Sequence, residues 1–451
     1  MPIILAHLRT IVASILICFM MLSFTAEASN SNEQTNQTAW QQLSPSLRIG
    51  GSARYRYENK ENFQFGAPTA GNNQDYWLQQ LRLHMLWQPS SNVSLFIEAQ
   101  DARIFQAFSG HVINNRKTPN IFEDHLDIHQ AYLDITTHGS DESSRIRIGR
   151  QKFNLGALRM IASLEWVNTA RVWDGIRMTS HFDKHQTLDV FSSRLVPVNP
   201  TGLNNHKTTK SRLFNSSFHG IYYTNKNQFL PHTQFELYGL LREEATVGDR
   251  VFTWGSRAAY KQGAWDADYE VMLQTGSYGN LTQRAYALHF GAGYTFDNIQ
   301  THVSTAYNFG SGDDNAADNT HQTFDNQYPL NHAYYGYMDF FSLQNMHNIE
   351  IVTQTNIAQT WKVRMAWQGF WLAKPGTDAW YNAGAGITRP ASAGASHKVG
   401  DEIDITLKHT FPAISSTMYL GYSHFFTGAY IAQTGSSKDA DFIFTQIKST
   451  F

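Results

Sequence analysis

Cysteine is almost missing from this 451-residue chain, Cys18 being the only one. It lies in an N-terminal segment expected to be cleaved off, so the mature chain can hold no disulfide framework, thiolate metal site or cysteine nucleophile. Charge is scarce too: 16% of residues are charged, and 35 Lys and Arg against 37 Asp and Glu leave a net charge of −2. Such a balance points to no partner by bulk attraction, and no nucleic-acid partner is expected. Long apolar runs are equally lacking. Ile11 to Phe24 is the one candidate, and it is too short and too terminal to cross a bilayer, which excludes a bundle of membrane helices. Arg9 precedes that run and Ala26-Glu27-Ala28 follows it, the order of a secretory signal peptide, with cleavage expected after Ala28. A buried N-terminal helix is the alternative, but no amphipathic stripe interrupts the run. Ile17, before Cys18, is not the small residue that a lipid-attachment signal wants.

Aromatic residues are abundant, at 14% of the chain, and the sequence after residue 46 alternates with period two. In Trp77 to Trp87 the odd positions include Trp77, Leu81, Leu83, Met85 and Trp87, while the even ones include Gln80, Arg82 and His84. Arg145-Ile146-Arg147-Ile148, Trp361-Lys362-Val363-Arg364-Met365 and Glu402-Ile403-Asp404-Ile405 repeat the pattern, which is that of strands with one apolar and one polar face. Connection lengths alternate as well. Eight short turns (near residues 88–92, 137–144, 181–186, 225–232, 261–267, 296–298, 356–360 and 411–416) interleave with nine generally longer loops (58–74, 102–125, 154–170, 194–217, 243–250, 275–282, 309–346, 371–399 and 427–438). Seventeen connections imply eighteen antiparallel strands with both ends on the short-turn side, the plan of a bacterial outer-membrane β-barrel. The expected organisation is a signal peptide over 1–28, a short periplasmic segment over 29–46 and a transmembrane β-barrel over 47–451.

A soluble all-β protein, sandwich or propeller, would share the alternation. Two features favour the barrel. Trp or Tyr recur near strand ends (Trp77 with Trp87, Trp254 with Tyr260, Trp361 with Trp367), as girdles at two membrane interfaces require, and no blade-length repeat is visible. The final strand, Asp441 to Phe451, ends on an aromatic residue, like the sorting signal of outer-membrane barrels, so the barrel assembly machinery is an expected partner, with outer-membrane lipid.

No nucleophile elbow, His-Glu-x-x-His, phosphate loop or dinucleotide fingerprint occurs, so an enzyme is not expected. No cofactor is expected either. Asp313, Asp314 and Asp318 in the longest loop form a weak candidate calcium cluster, but their spacing matches no calcium loop and a solvated loop is the simpler explanation. The polar strand face, by contrast, is rich in ions: Arg48, Arg54, Arg56, Arg82, Arg145, Arg147, Arg177, Arg257, Lys362, Arg364 and Lys408, against Glu98, Asp134, Asp189, Glu236, Glu270, Glu350, Glu402 and Asp404. For any one of them a cross-strand ion pair is the simpler role. Arg48, Arg54, Arg56, Arg145 and Arg147, however, lie in two short strand segments with few acids on the same face. Such a local excess of Arg forks would make a path for carboxylate-bearing solutes.

Several stretches resemble the alginate export family of outer-membrane porins. They are Arg54-Tyr55-Arg56-Tyr57-Glu58, Glu98-Ala99-Gln100-Asp101-Ala102-Arg103, Gln130-Ala131-Tyr132-Leu133 and the block RIGRQKFNLGALRMIASLEWVNTARVWDGIR from Arg147 to Arg177. That block includes Gly149-Arg150-Gln151, Gly156, Arg159, Trp166, Asn168, Arg171 and Asp174-Gly175. The resemblance implies an eighteen-stranded barrel with an Arg-rich constriction passing an anionic polysaccharide such as alginate. The expected pore-lining anion path is Arg54, Arg56, Arg82, Arg147, Arg150, Arg159, Arg171, Asp174, Arg257 and Arg364, serving anionic saccharides or small anions. Alternation places Arg150 on the wrong face unless a bulge at Gly149 re-aims it. Two alternatives stand: a porin for small or general solutes, and a plugged structural or binding barrel that transports nothing. The longest loops, 309–346 and 371–399, are expected outside the cell, with at least one folding over or into the mouth.

Overall fold

The computed structural model describes residues 40–69, 71–106, 121–139, 142–200, 202–205 and 216–451; the segment read as a signal peptide lies outside them. In chain order the strands are β1 (Trp40–Ser44), β2 (Leu47–Glu61), β3 (Gln74–Ser90), β4 (Val93–Gln106), β5 (Asp124–His138), β6 (Ser143–Gln151), β7 (Trp173–His181), β8 (Gln186–Leu195), β9 (Ser216–Lys226), β10 (Thr233–Glu244) and β11 (Asp249–Gln262). They continue as β12 (Trp265–Tyr278), β13 (Leu281–Phe296), β14 (Thr301–Gly310), β15 (Thr320–His321), β16 (Met346–Ala358), β17 (Trp361–Leu372), β18 (Trp380–Tyr381), β19 (Ile387–Arg389), β20 (Lys398–Phe411), β21 (Ser416–Thr427) and β22 (Ala440–Thr450), and a short α-helix, α1 (Ala429–Thr434), precedes the last. Setting aside β1, β15, β18 and β19, eighteen strands pair antiparallel with their neighbours, and β22 returns to β2 to close the barrel. Closure matters because lipid offers no partner for the backbone groups of an open edge.

Alternation decides the two faces. Leu83, Leu237, Trp254, Leu273 and Phe290 are between 46% and 60% exposed on the outer surface, while their neighbours Arg82, Tyr238, Thr253, Met272 and His289 are buried inside. No helix among the described residues is long and apolar enough to cross a membrane, and the wall crosses by strands. The eight short turns and nine opposite loops fall where the alternation put them. Two connections expected to be longer, 245–248 and 279–280, are tight, because Gly248 and Gly279 take left-handed φ angles that close a turn in few residues.

The closing seam has a second element. The described part of the 29–46 segment forms β1, which folds back through Pro45 and Ser46 and pairs along the start of β2, from Trp40 opposite Gly50 to Ser44 opposite Leu47. Phe451 exchanges both backbone hydrogen bonds with Gly51 (2.6 and 3.0 Å), so β1 takes over the edge of β2 where the last strand stops. A Cβ on Gly51 would lie 2.5 Å from the Phe451 ring, and only glycine leaves room there.

The loops at the other end fold inward. A buried apolar core including Phe65, Tyr328, Phe341, Phe370, Trp380 and Phe425 joins inward wall residues to loops 62–73, 311–345 and 373–397. The Phe341 and Phe370 rings stack in parallel at 3.9 Å, and the Trp380 indole N–H donates to the Phe340 carbonyl at 2.9 Å. Removing that much aromatic surface from water supplies the stabilisation that long irregular loops otherwise lack.

Candidate functional site: a two-loop constriction in the lumen

The loop between β6 and β7 (residues 152–172) runs into the barrel rather than over it. Its path is irregular: Gly156, Leu158, Leu164 and Ala170 all have positive φ. At Gly156 the backbone comes so close to the wall that a Cβ would sit 2.2 Å from the Tyr222 hydroxyl. The three non-glycine positions each cost on the order of 1 kcal/mol, and fixed anchors offset this.

One anchor is cationic wall. Arg54 donates to the carbonyls of Glu165 (2.7 Å) and Val167 (3.0 Å), and to Asn168 Oδ1 (3.2 Å). Arg56 donates to the Trp166 carbonyl at 2.7 Å, lies 3.9 Å from the centre of the Trp166 ring and pairs with Glu58 at 2.7 Å. The Glu165 carboxylate joins Arg82 (2.7 Å) and Lys152 (2.8 Å). Burial pushes the Glu165 carboxyl up, but Arg82, Lys152 and His129 outweigh it and hold it well below the usual carboxylate range. Asn168 closes the joint, its amide donating to the carbonyls of Gln79, Arg103 and Phe122 at 2.8 to 3.1 Å.

The other anchor has the opposite sign. Arg159 reaches Glu270 (3.1 Å), Asp268 (3.3 Å) and His289 Nε2 (2.7 Å) on β12 and β13. Burial works against its charge, yet Glu270, Tyr334 and Asp268 more than compensate and raise its pKa. Around it, Arg257 pairs with Glu236 at 3.2 Å, and Tyr222 and Tyr238 donate to Glu236 and Glu270, each at 2.7 Å. Since β3 and β12 are nine strands apart on an eighteen-stranded wall, the loop spans the lumen.

Loop 311–345 meets it there. Tyr328 N–H donates to the Met160 carbonyl (3.2 Å), Ala162 N–H to the Tyr328 carbonyl (2.8 Å) and Leu330 N–H to the Leu158 carbonyl (3.0 Å). Arg171 ties the two together by donating to Pro329 (3.0 Å) and Ala162 (3.4 Å), and its burial pushes the guanidinium down to about 10. The Trp166, His332 and Tyr337 rings stack in sequence, at 3.7 and 4.8 Å, between Arg56 of β2 and Arg364 of β17. Arg242 and Gln274 hold the same loop at Asp325, each at 2.8 Å, and Glu402 accepts the Met338 N–H at 2.9 Å.

The residues expected to line an anion path therefore divide. Arg54, Arg56, Arg82, Arg159 and Arg171 converge on the two loops. Arg147 stays in the wall as a bidentate pair with Asp134 (2.7 and 2.8 Å); Arg364 pairs with Glu350 (3.1 Å) and touches the second loop only through the Tyr337 ring (5.2 Å); Arg257 belongs to the acidic anchor. Arg150 and Asp174 are a correction. The register runs unbroken through Gly149, so no bulge re-aims Arg150, which keeps the outward side of Ile148. It pairs there with Asp174 (2.9 and 3.2 Å) and donates to the Ile128 and Asn204 carbonyls. The calcium candidates do not converge: Asp313 accepts the Asn315 N–H, Asp314 the Gln322 amide and Asp318 the Thr320 N–H. Among the described residues no three His, Cys, Asp or Glu side chains gather at a common metal position.

Sequence reasoning missed Glu165, Lys152, Asp268, Asp325, His129 and His332, although period two could have found Asp268. All but two lie in loops, where no period assigns a face; Asp268 shares the inward side of Glu270. His129 is the extra residue of a bulge opposite Glu98 and Ala99, which turns it inward beside Gln130 against the alternation.

A barrel closed by antiparallel strands, with an apolar belt outside, polar ions inside and a loop crossing the lumen, is the architecture of an outer-membrane channel. The sequence model for alginate export matches residues 46–444, and the chain belongs to that family. Its fold is similar to solved Pseudomonas aeruginosa outer-membrane proteins: OccD3 (OpdP), at TM-score 0.62 and 12% identity over 92% of this chain and 94% of that one; OccK3 (OpdO), at 0.60 and 11% over 90% and 95%; and OpdK with vanillate, at 0.62 and 10% over 90% and 98%. No curated protein matches the chain.

Proposed function

We propose that this outer-membrane channel conducts carboxylate-bearing solutes, with anionic saccharides such as alginate as the intended class. The carrying observation is the cationic wall at the constriction. Arg54, Arg56 and Arg82 meet the inserted loop there, beside the loop's own Lys152 and with Glu165 as the loop's only carboxylate. Arg forks stay charged and match planar carboxylates bidentately, so a wall of them lowers the barrier for such groups. Family membership supports a saccharide, and vanillate in a structural relative is itself a carboxylate. The test is the reversal potential of single channels in a planar bilayer under a salt gradient: anion preference is expected, and cation preference would overturn the reading.

A second reading, the plugged barrel, draws on the apolar core that joins loops 62–73, 311–345 and 373–397 inside the mouth. A chain that refolds fully yet passes no current would favour it.

A further inference from the structure

The inserted loop brings one carboxylate of its own to Arg82 and Lys152, and buried donors around them have no acceptor. That carboxylate is Glu165, and 40% of its side-chain surface is still accessible, whereas Arg82 behind it is 5% accessible. Arg82 spends Nε on Gln100 and Nη1 on Glu165, while its Nη2 is buried without an acceptor. Arg54 Nε and His129 Nε2 are buried without acceptors as well. Lys448 of β22 stands directly opposite Arg54 of β2 where the last strand closes the barrel. The wall's other acids are already committed: Glu98 is shared among His84 (3.7 Å), Lys152 (3.6 Å), His129 (4.0 Å) and the Gln130 amide (3.0 Å), and Glu58 among Arg56 (2.7 Å), Lys60 (3.1 Å) and the Tyr76 hydroxyl (2.6 Å). A buried donor without an acceptor costs about 1–3 kcal/mol, which an arriving carboxylate would recover.

We infer that Arg82, Lys152 and Lys448 form a carboxylate-binding site for the transported solute, and that Glu165 is its resident competitor. The inference rests on the carboxylate reading of the channel and deepens it. Glu165 is bound by the charge-assisted pairs that a uronate would make, and its accessible side lets it leave without moving the loop backbone, which Arg54 and Arg56 hold independently through the carbonyls of Glu165, Val167 and Trp166. Exchange of one carboxylate for another keeps the buried cations paired throughout, avoiding the cost of an unpaired buried charge. Such a site binds weakly enough to release, as conduction requires.

The test titrates sodium glucuronate, with glucose as the neutral control, into the refolded full-length chain in detergent by calorimetry. Glu165→Gln keeps the shape and removes the competing charge; glucuronate should bind it about tenfold tighter than it binds the wild type, and Arg82→Gln in the same background should abolish the gain. Glucose should bind none of them. Equal glucuronate affinity in wild type and E165Q, or a gain in E165Q that survives R82Q, overturns the inference. If E165Q does not assemble, Glu165→Asp draws the carboxylate back by one methylene and should give a smaller gain of about threefold; no gain in E165D then overturns it. A cation-preferring wild-type channel would instead sink the channel reading, so the two failures are distinguishable.

Discussion

The two ends of the constriction loop are held by opposite chemistry. At the β2–β4 wall the loop offers carbonyls and the Glu165 carboxylate to arginines; at the β12–β13 wall it offers Arg159 to Glu270 and Asp268. Each side of the lumen thus receives charge of the opposite sign from the loop that divides it, and the nearly even overall charge hides a polarity across the pore. The anchors also differ in redundancy. Four separate side chains, Arg54, Arg56, Arg82 and Gln80, grip residues 165–168 on the first wall, whereas one guanidinium serves the second.

That contrast predicts its largest effect at the single-residue anchor. Arg159→Ala leaves Glu270, Asp268 and the Tyr238 hydroxyl facing one another in a buried space, and should cost about 3–5 kcal/mol in urea denaturation of the refolded protein. A loss below about 1 kcal/mol would show that the acidic wall does not need the loop.

At the redundant anchor, Arg54→Ser alone should cost about 1.5–3 kcal/mol for its charge-assisted hydrogen bonds, while R54S/R56S/R82S should free the loop, raise single-channel conductance and move the reversal potential toward cations. Unchanged ion preference in the triple variant at low salt would reduce these arginines to wall struts.

A smaller effect is expected away from both anchors. Replacing Arg147 and Asp134 together by Ser removes a neutral pair from the wall, so stability should change by about 1 kcal/mol or less and the reversal potential should not move. A shift as large as that of the triple variant would break the distinction between wall pairs and loop anchors.

The smallest response is to mild acid. The Glu165 carboxyl lies well below its ordinary pKa in the folded protein, so its contribution is present above the unfolded value and is lost only as pH falls through the folded one. Conductance and the glucuronate affinity of wild type should therefore be steady between about pH 7 and 5, above the ordinary glutamate value of roughly 4.3. A transition inside that window would mean that a group other than Glu165 controls the constriction.

Period two and the spacing of turns determined the strand number, the closure and the inward set of ions by themselves, since a side chain two residues on must return to the same face. They could even signal Arg150 as misplaced. Of the five positions read as an arginine cluster only Arg54 and Arg56 became loop anchors, while Arg48 lies over Trp40 and Arg147 is committed to Asp134, because alternation assigns a face but not a partner. The constriction itself was decided only in three dimensions. Residues 152–172 and 311–345 have no repeat to fix their direction, and Glu165, 83 positions from Arg82 in the chain, meets it because the barrel brings the root of the loop within reach of both walls. Loop paths follow from the sum of many anchors in a closed space, and such a sum exists only once the wall has formed.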